Sequence, residues 1–184
     1  SVYVKLNQSK FKLAIVSAAI AGSASLSYVG SAYAVTSPTP LNVTTTISDS
    51  CTIAVTTNMS FTGYGTGSAD VNGEGEVTSS CTLGGSVTIT LGQGDNDATG
   101  DAASPARRMK DTFKTGSGET REYLNYSLYV DSGRSVTWGN TEATGLTYTA
   151  TNGDDTKKIY GKLPQGQAVS AGAYADEIVV TLTF

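Results

Sequence analysis

The chain has 184 residues, with 12 basic against 16 acidic side chains and no histidine. That length suits one domain with a real hydrophobic core. The acidic balance argues against nucleic-acid binding, and without histidine the commonest acid–base catalyst and metal ligand is missing, along with any Ser/His/Asp or Cys/His set.

The first segment reads as an address rather than as fold. "VKLNQSKFK" carries Lys5, Lys10 and Lys12 with no acid nearby, "LAIVSAAIAG" is apolar, and "SAYA" places small residues at Ala32 and Ala34. This is the layout of a secretory signal cleaved after Ala34. A transmembrane anchor is the competing reading, but Ser, Gly and Tyr interrupt the apolar run. Removing 34 residues takes away three basic side chains and no acid, which leaves 150 residues with a net charge of −7. No second apolar segment follows, so no membrane insertion of the mature chain is expected.

Residues 35–50, "VTSPTPLNVTTTISDS", open with Pro38 and Pro40, a linker signature. Leu41, Val43, Thr45 and Ile47 then share one side of an extended chain, opposite Asn42, Thr44 and Thr46. This is either an ordinary first strand or a strand meant for another molecule. "CTIAVT" points Cys51, Ile53 and Val55 one way. "EVTSSCTL" does so with Val77, Cys81 and Leu83, and "SVTITLG" with Val87, Ile89 and Leu91. "EYLNYSLYV" alternates Leu124, Tyr126, Leu128 and Val130 against Tyr123, Asn125, Ser127 and Tyr129. "LTYTA" is a shorter candidate, and "KKIYGKL" sets Ile159 and Leu163 against Tyr160 and Lys162. In "DEIVVTLTF", Ile178, Val180, Leu182 and Phe184 form an apolar face that runs to the last residue. Turn clusters separate the strands: "TGYGTGSAD", "NGEGE", "LGG", "GQGDNDATGDAASP", "DSGR" and "TNGDD". Short, regular strands rich in Thr, Val, Ile and Tyr predict an all-β sandwich.

Cys51 and Cys81 are the only cysteines, and in an exported protein an even count predicts the Cys51–Cys81 disulfide. Free thiols or a metal pair are the alternatives. Catalytic and cofactor readings find little support. The carboxylate pairs Glu74/Glu76 and Glu119/Glu122 sit in Gly-rich turns or at a strand edge and read as solvated surface. Asp95, Asp97 and Thr99 have the spacing of a calcium loop, with Gly100 at its turn. The twelfth position is Ala106, where a bidentate Glu is needed, so the Asp95–Asp101 loop is expected to be a mobile acidic loop. "GEGE" and "GTGSAD" lack the Lys-Ser/Thr and the following helix of a phosphate loop. Trp138 is expected to be packed. No enzyme activity, metal or cofactor is expected.

Four stretches resemble the spore coat protein U family, which includes the archaic, Csu-type chaperone–usher pilins. They are the early Cys51, "VTSSCTLGGSVTITLG", "LNYSLYVDSGRSVTWG" and "IYGKLPQGQAVSAGAYADEIVVTLTF"; "ARRM" at Ala106–Met109 matches a further short element. The resemblance covers about Cys51 to Phe184. It implies an incomplete immunoglobulin-like β-sandwich, completed by a donor strand from a neighbouring subunit. A hydrophobic groove would lie beside the terminal strand. A periplasmic chaperone would fill it first. The N-terminal extension of the next pilin subunit would follow, at an outer-membrane usher, as a pilus grows outside the cell. Such pili support adhesion and biofilm formation. On this reading 1–34 is the signal peptide, 35–50 the donor extension and 51–184 the pilin domain. Leu41, Val43, Thr45 and Ile47 would be the donor positions, and Ile178, Val180, Leu182 and Phe184, on the terminal strand, would line the acceptor's core beside the groove. The competing reading is a stand-alone secreted sandwich that coats a surface or binds carbohydrate.

Overall fold

The computed structural model of the chain describes residues 36–65, 67–113, 120 and 122–184. The expected leader lies outside the described residues, as do Val35 and Glu119. Two units divide the chain, Ser1–Thr44 and Thr45–Phe184. Of the first, residues 36–44 carry no regular secondary structure and are exposed.

Among its described residues the second unit holds ten strands. They are β1 (Cys51–Thr57), β2 (Val71–Cys81), β3 (Ser86–Leu91), β4 (Arg108–Asp111), β5 (Tyr123–Asn125), β6 (Ser127–Tyr129), β7 (Leu146–Thr149), β8 (Asp154–Leu163), β9 (Tyr174–Ala175) and β10 (Val180–Thr183). One 3-10 turn, Glu142–Thr144, precedes β7, and there is no α-helix among the described residues. The strands form three sheets in the orders β1-β2-β8-β6, β10-β3-β7 and β5-β4-β9. Every pairing is antiparallel. The all-β reading therefore holds.

The core forms where the alternating apolar faces meet. Val77, Val87, Ile89, Leu91, Leu124, Leu128, Ile159 and Leu163 are all buried. Each such side chain contributes about 1.5–3 kcal/mol. Trp138 is fully buried, and its indole N–H donates to the carbonyl of Ile89 at 2.8 Å, so its one polar atom is satisfied.

Three expectations change. "NGEGE" is not a turn. It is the first half of β2, held in register against β8 from Val71↔Leu163 to Ser80↔Asp154. Cross-strand pairing here overrides the poor strand propensity of Gly, Asn and Glu. Glu74 and Glu76 thus lie on a strand, and Glu74 accepts an ion pair from Lys158 at 2.9 Å. "EYLNYSLYV" is two strands, because β5 pairs with β4 and β6 with β8. The break falls after Tyr126, whose backbone N–H donates to the carbonyl of Arg107 one step further along the β4–β5 register, before Ser127 pairs with Lys162 of β8. Leu83 does not share the face of Val77 and Cys81. β2 ends at Cys81, the chain turns through Gly84 at φ 84°, and Leu83 is 68% exposed.

Candidate functional site

Among the described residues β1 pairs only with β2, and β10 only with β3, so each is the outer strand of its sheet. An outer strand carries a row of unused backbone donors and acceptors. Between these two edges lies an open groove of about 1150 Å³. Val55 and Thr57 stand on the β1 side, Ile178 and Val180 on the β10 side. Leu91, Leu124, Leu128, Ile159 and Leu163 form its floor, which is the core itself. The apolar face is correspondingly half covered. Ile53, Ile178, Val180 and Leu182 are only partly buried, while Val87 and Ile89 on the neighbouring β3 are fully buried.

The end of the groove beyond Thr57 is shaped by a segment that crosses the inner face of the first sheet. β1 loses register between Val55 and Thr57, and residues 58–64 then run over β2 and β8. Gly73 and Gly161 make the crossing possible. A Cβ on Gly73 would lie 2.6 Å from the carbonyl oxygen of Ser60, and one on Gly161 would lie 2.7 Å from Sδ of Met59 and 2.8 Å from Cζ of Phe61. The glycines leave a trench, and Met59 and Phe61 fill it. The Phe61 ring meets Tyr126 with centroids 6.0 Å apart.

Polar ties hold the other wall. The Tyr126 hydroxyl donates to Asp176 at 2.7 Å, and Asn96 donates to the other oxygen of that carboxylate at 2.9 Å. Burial, then the Asp176 bond, pushes the Tyr126 phenol well above its usual range. Glu122 accepts from the Ser170 N–H, the Ser170 hydroxyl and the Tyr174 hydroxyl, which ties the rim segment 166–172 to the body. Glu122 is therefore a structural anchor, not a bare surface acid. Arg107, only 1% exposed, donates to the carbonyls of Leu91, Gly92 and Trp138 at 2.7–2.9 Å. It anchors the end of β3 beneath the groove. Burial works against its charge.

The Cys51–Cys81 disulfide is formed, and the two residues are directly opposed across β1 and β2. It joins the first residue of β1 to the last of β2, so it fixes the root of the N-terminal segment. Leu41, Val43 and Ile47 are 87%, 85% and 80% exposed, and Thr45 is exposed. Large aliphatic side chains repeating at every second residue are rarely left in water without a partner. Of the terminal-strand residues, Ile178 and Val180 line the groove. Leu182 packs against the core outside that lining, and Phe184 is 60% exposed beside Asp49, Ser50, Cys51 and Thr82. The chain of β10 has passed the groove by then.

In the Asp95–Asp101 loop the carboxylates cap the loop's own backbone. Asp97 accepts from the N–H groups of Thr99 and Gly100. Asp101 accepts from those of Ala103 and Ser104. Among the described residues no group of three or more His, Cys, Asp or Glu is arranged to hold a metal. Arg107, Met59, Phe61 and the Tyr126–Asp176 pair were not singled out from sequence. For Met59 and Phe61 the two-residue spacing in "NMSF" was the available signal.

Residues 38–181 match the Spore Coat Protein U domain. The chain belongs to that family. Among Spore Coat Protein U relatives, Protein U of Myxococcus xanthus is 37% identical over 177 residues, 91% of this chain and 96% of that protein. A chain from the crystal structure of the CsuC–CsuE chaperone–tip adhesion subunit pre-assembly complex, from archaic chaperone–usher Csu pili of Acinetobacter baumannii, superposes with a TM-score of 0.50. Identity there is 17%, and the match covers 76% of this chain but only 40% of that one. A chain from a chaperone–tip adhesin complex of CFA/I fimbriae gives a TM-score of 0.43 at 17% identity, over 72% of this chain and 41% of that one. The Spore Coat Protein U sandwich of this chain thus shares its fold with a chain of a chaperone–usher pilus complex.

Proposed function

We propose that this protein is a structural subunit of a surface pilus, exported and assembled by a chaperone–usher pathway through donor-strand exchange. Residues 1–34 direct export. Residues 35–50 are the donor extension, acting through Leu41, Val43, Thr45 and Ile47. Residues 51–184 are the acceptor sandwich. Its partners are neighbouring subunits, a periplasmic chaperone and an outer-membrane usher, and the pilus serves adhesion and biofilm formation. The protein performs no catalysis.

One observation carries the reading. A single chain holds both an open groove between two unpaired strand edges and an exposed segment with strand-like apolar alternation. A strand added there gains main-chain hydrogen bonds from the edges and side-chain pockets from the floor. Leu41 to Ile47 is seven residues, as is β1. The contact is head-to-tail, so it builds an open filament. The pilus setting is drawn from the Csu complex whose fold the sandwich shares, and it is a fold-level analogy.

The test is fibre formation by the mature chain co-expressed with its chaperone and usher, viewed by electron microscopy. Ile47→Asp would set a carboxylate in an apolar pocket, at a cost of several kcal/mol, roughly, and should abolish fibres while leaving the chaperone-bound subunit intact. Asn42→Asp lies on the opposite face of the strand and should still give fibres. The second reading, a self-contained secreted coat protein, is favoured by the near full-length match to Protein U. It is supported instead if the mature chain is a stable monomer without chaperone and Ile47→Asp lowers its melting temperature.

A further inference from the structure

A donor segment joined by a few residues to the sandwich that carries the groove has an alternative to polymerising. Residues 48–50 could turn back on themselves and lay 41–47 along the free edge of β1, closing the monomer. The tether is short, so the effective concentration of this intramolecular strand would far exceed that of any neighbour's. Something must set the direction in which the extension leaves the sandwich.

Thr82, the first residue after β2, occupies that point. Its hydroxyl receives the N–H of Ser50 at 3.0 Å and lies 3.4 Å from the Ser50 carbonyl oxygen and 3.5 Å from that of Ser48. Its backbone N–H donates to the Ser50 carbonyl at 2.9 Å. Ser50 thus continues the β1–β2 register one step beyond Cys51↔Cys81. Residues 48–50 wrap the Thr82 hydroxyl on the β2 side of β1, opposite the edge that borders the groove. A hairpin back into the groove needs these same residues as its turn on the other side, and so competes with the bonds that Ser48 and Ser50 make to the Thr82 hydroxyl. Phe184 adds a second obstacle. It lines a small cleft with Asp49, Ser50, Cys51 and Thr82, which places its ring at the foot of the extension.

We infer that Thr82, backed by Phe184 and by the disulfide beneath, is a steering residue that holds Ser48–Ser50, the root of the extension, on the β2 side of β1 and so disfavours closure of the segment onto its own groove. The occupant of the groove is then a second copy of this chain and not the chain's own segment. This rests on the donor reading above. Thr82 acts through Ser48–Ser50 and makes no contact with the groove, so it is a positioning residue.

The experiment refolds the mature chain, disulfide intact, at low concentration without chaperone. Monomer and polymer are separated by size exclusion, and the monomer is probed by its melting transition. Thr82→Val removes the hydroxyl at almost constant volume, and Thr82→Ser restores it. The Thr82→Val chain should give a stable monomer fraction roughly fivefold larger than the parent, because the lost bonds to an exposed backbone are individually weak. Thr82→Ser should behave as the parent does, which a purely structural loss at this position would not produce. Adding Ile47→Asp to Thr82→Val should abolish the new monomer, since the closing strand is then unable to enter. If Thr82→Val partitions as the parent does, or if the parent already closes on itself, the steering role is overturned. Failure of the donor reading gives a different result: fibres that survive Ile47→Asp.

Discussion

Tyr126 is where the chain changes sheets, and its hydroxyl is committed to Asp176 in the groove wall. Replacing it with Phe keeps the ring against Phe61 but leaves that carboxylate oxygen without its partner. The expected cost is about 1–3 kcal/mol, read as a lower urea midpoint at pH 7. The same residue sets an alkaline limit. Burial and the bond to Asp176 raise the Tyr126 phenol, and burial and Glu122 raise Tyr174 to about 12. A raised phenol stays neutral in the folded protein while the unfolded chain ionises near the ordinary value of 10. Stability is therefore fully present below about pH 10 and falls as pH rises from there toward the folded values. Urea midpoints taken from pH 8 to 11 should drop above 10, and Tyr126→Phe should flatten that drop. An equal decline in both proteins would remove Tyr126 as its cause. Arg107 teaches a related point. A buried guanidinium that binds three backbone carbonyls joins β3 to Trp138 by positioning, and carries no catalytic implication.

At the scale of elements, glycines decide how the groove ends. Segment 58–61 can cross β2 and β8 only because Gly73 and Gly161 offer no Cβ. Gly161→Val would drive side-chain atoms into Met59 and Phe61. Overpacking of this kind costs about 1–3 kcal/mol and should expel the segment. Chymotrypsin should then cut after Phe61 markedly faster than in the parent. Gly65→Ala is the matched control, since the nearest atom to its Cβ would be Ser68 Oγ at 3.9 Å. Equal cleavage of the Gly161 variant and the parent would mean that the trench does not hold the segment. The disulfide belongs to this scale too. It closes 30 residues of sequence between the first residue of β1 and the last of β2. On the chain-entropy account it contributes about 3–4 kcal/mol. The Cys51→Ser, Cys81→Ser double variant should show a large fall in periplasmic yield, measured by immunoblot against the parent. A sandwich with a half-covered core has little stability to spare.

For the whole molecule, the two outer strands govern behaviour. An open edge beside an exposed core invites uncontrolled pairing. On the function proposed above, a groove filled first by a chaperone and then by a neighbour would turn that hazard into directional assembly. Residues 48–50 are hydrogen-bonded around Thr82, at the root of the segment that precedes β1.

Much of this was legible along the chain. Period-two alternation marked β3, β7, β8 and β10, because solvent on one face and core on the other select side chains residue by residue. Leu41, Val43 and Ile47 showed the same signal in a segment where no partner strand was evident, and Cys51 and Cys81 had only each other. Local pattern reports which face of a strand is buried, but not which strand lies beside it. The order β1-β2-β8-β6 and the separation of β1 from β10 are facts about neighbours, so the groove became visible only in three dimensions. The same limit explains the errors. Gly73 and Gly75 read as a turn until β8 was seen to pair with them, and Tyr126 read as mid-strand until its two flanks joined different sheets. The apolar phase of Ile178, Val180 and Leu182 told which side packs on the core, but not that only Ile178 and Val180 line the groove or that Phe184 stays exposed, because phase along a strand is set locally while the length of a cavity is set by everything packed around it.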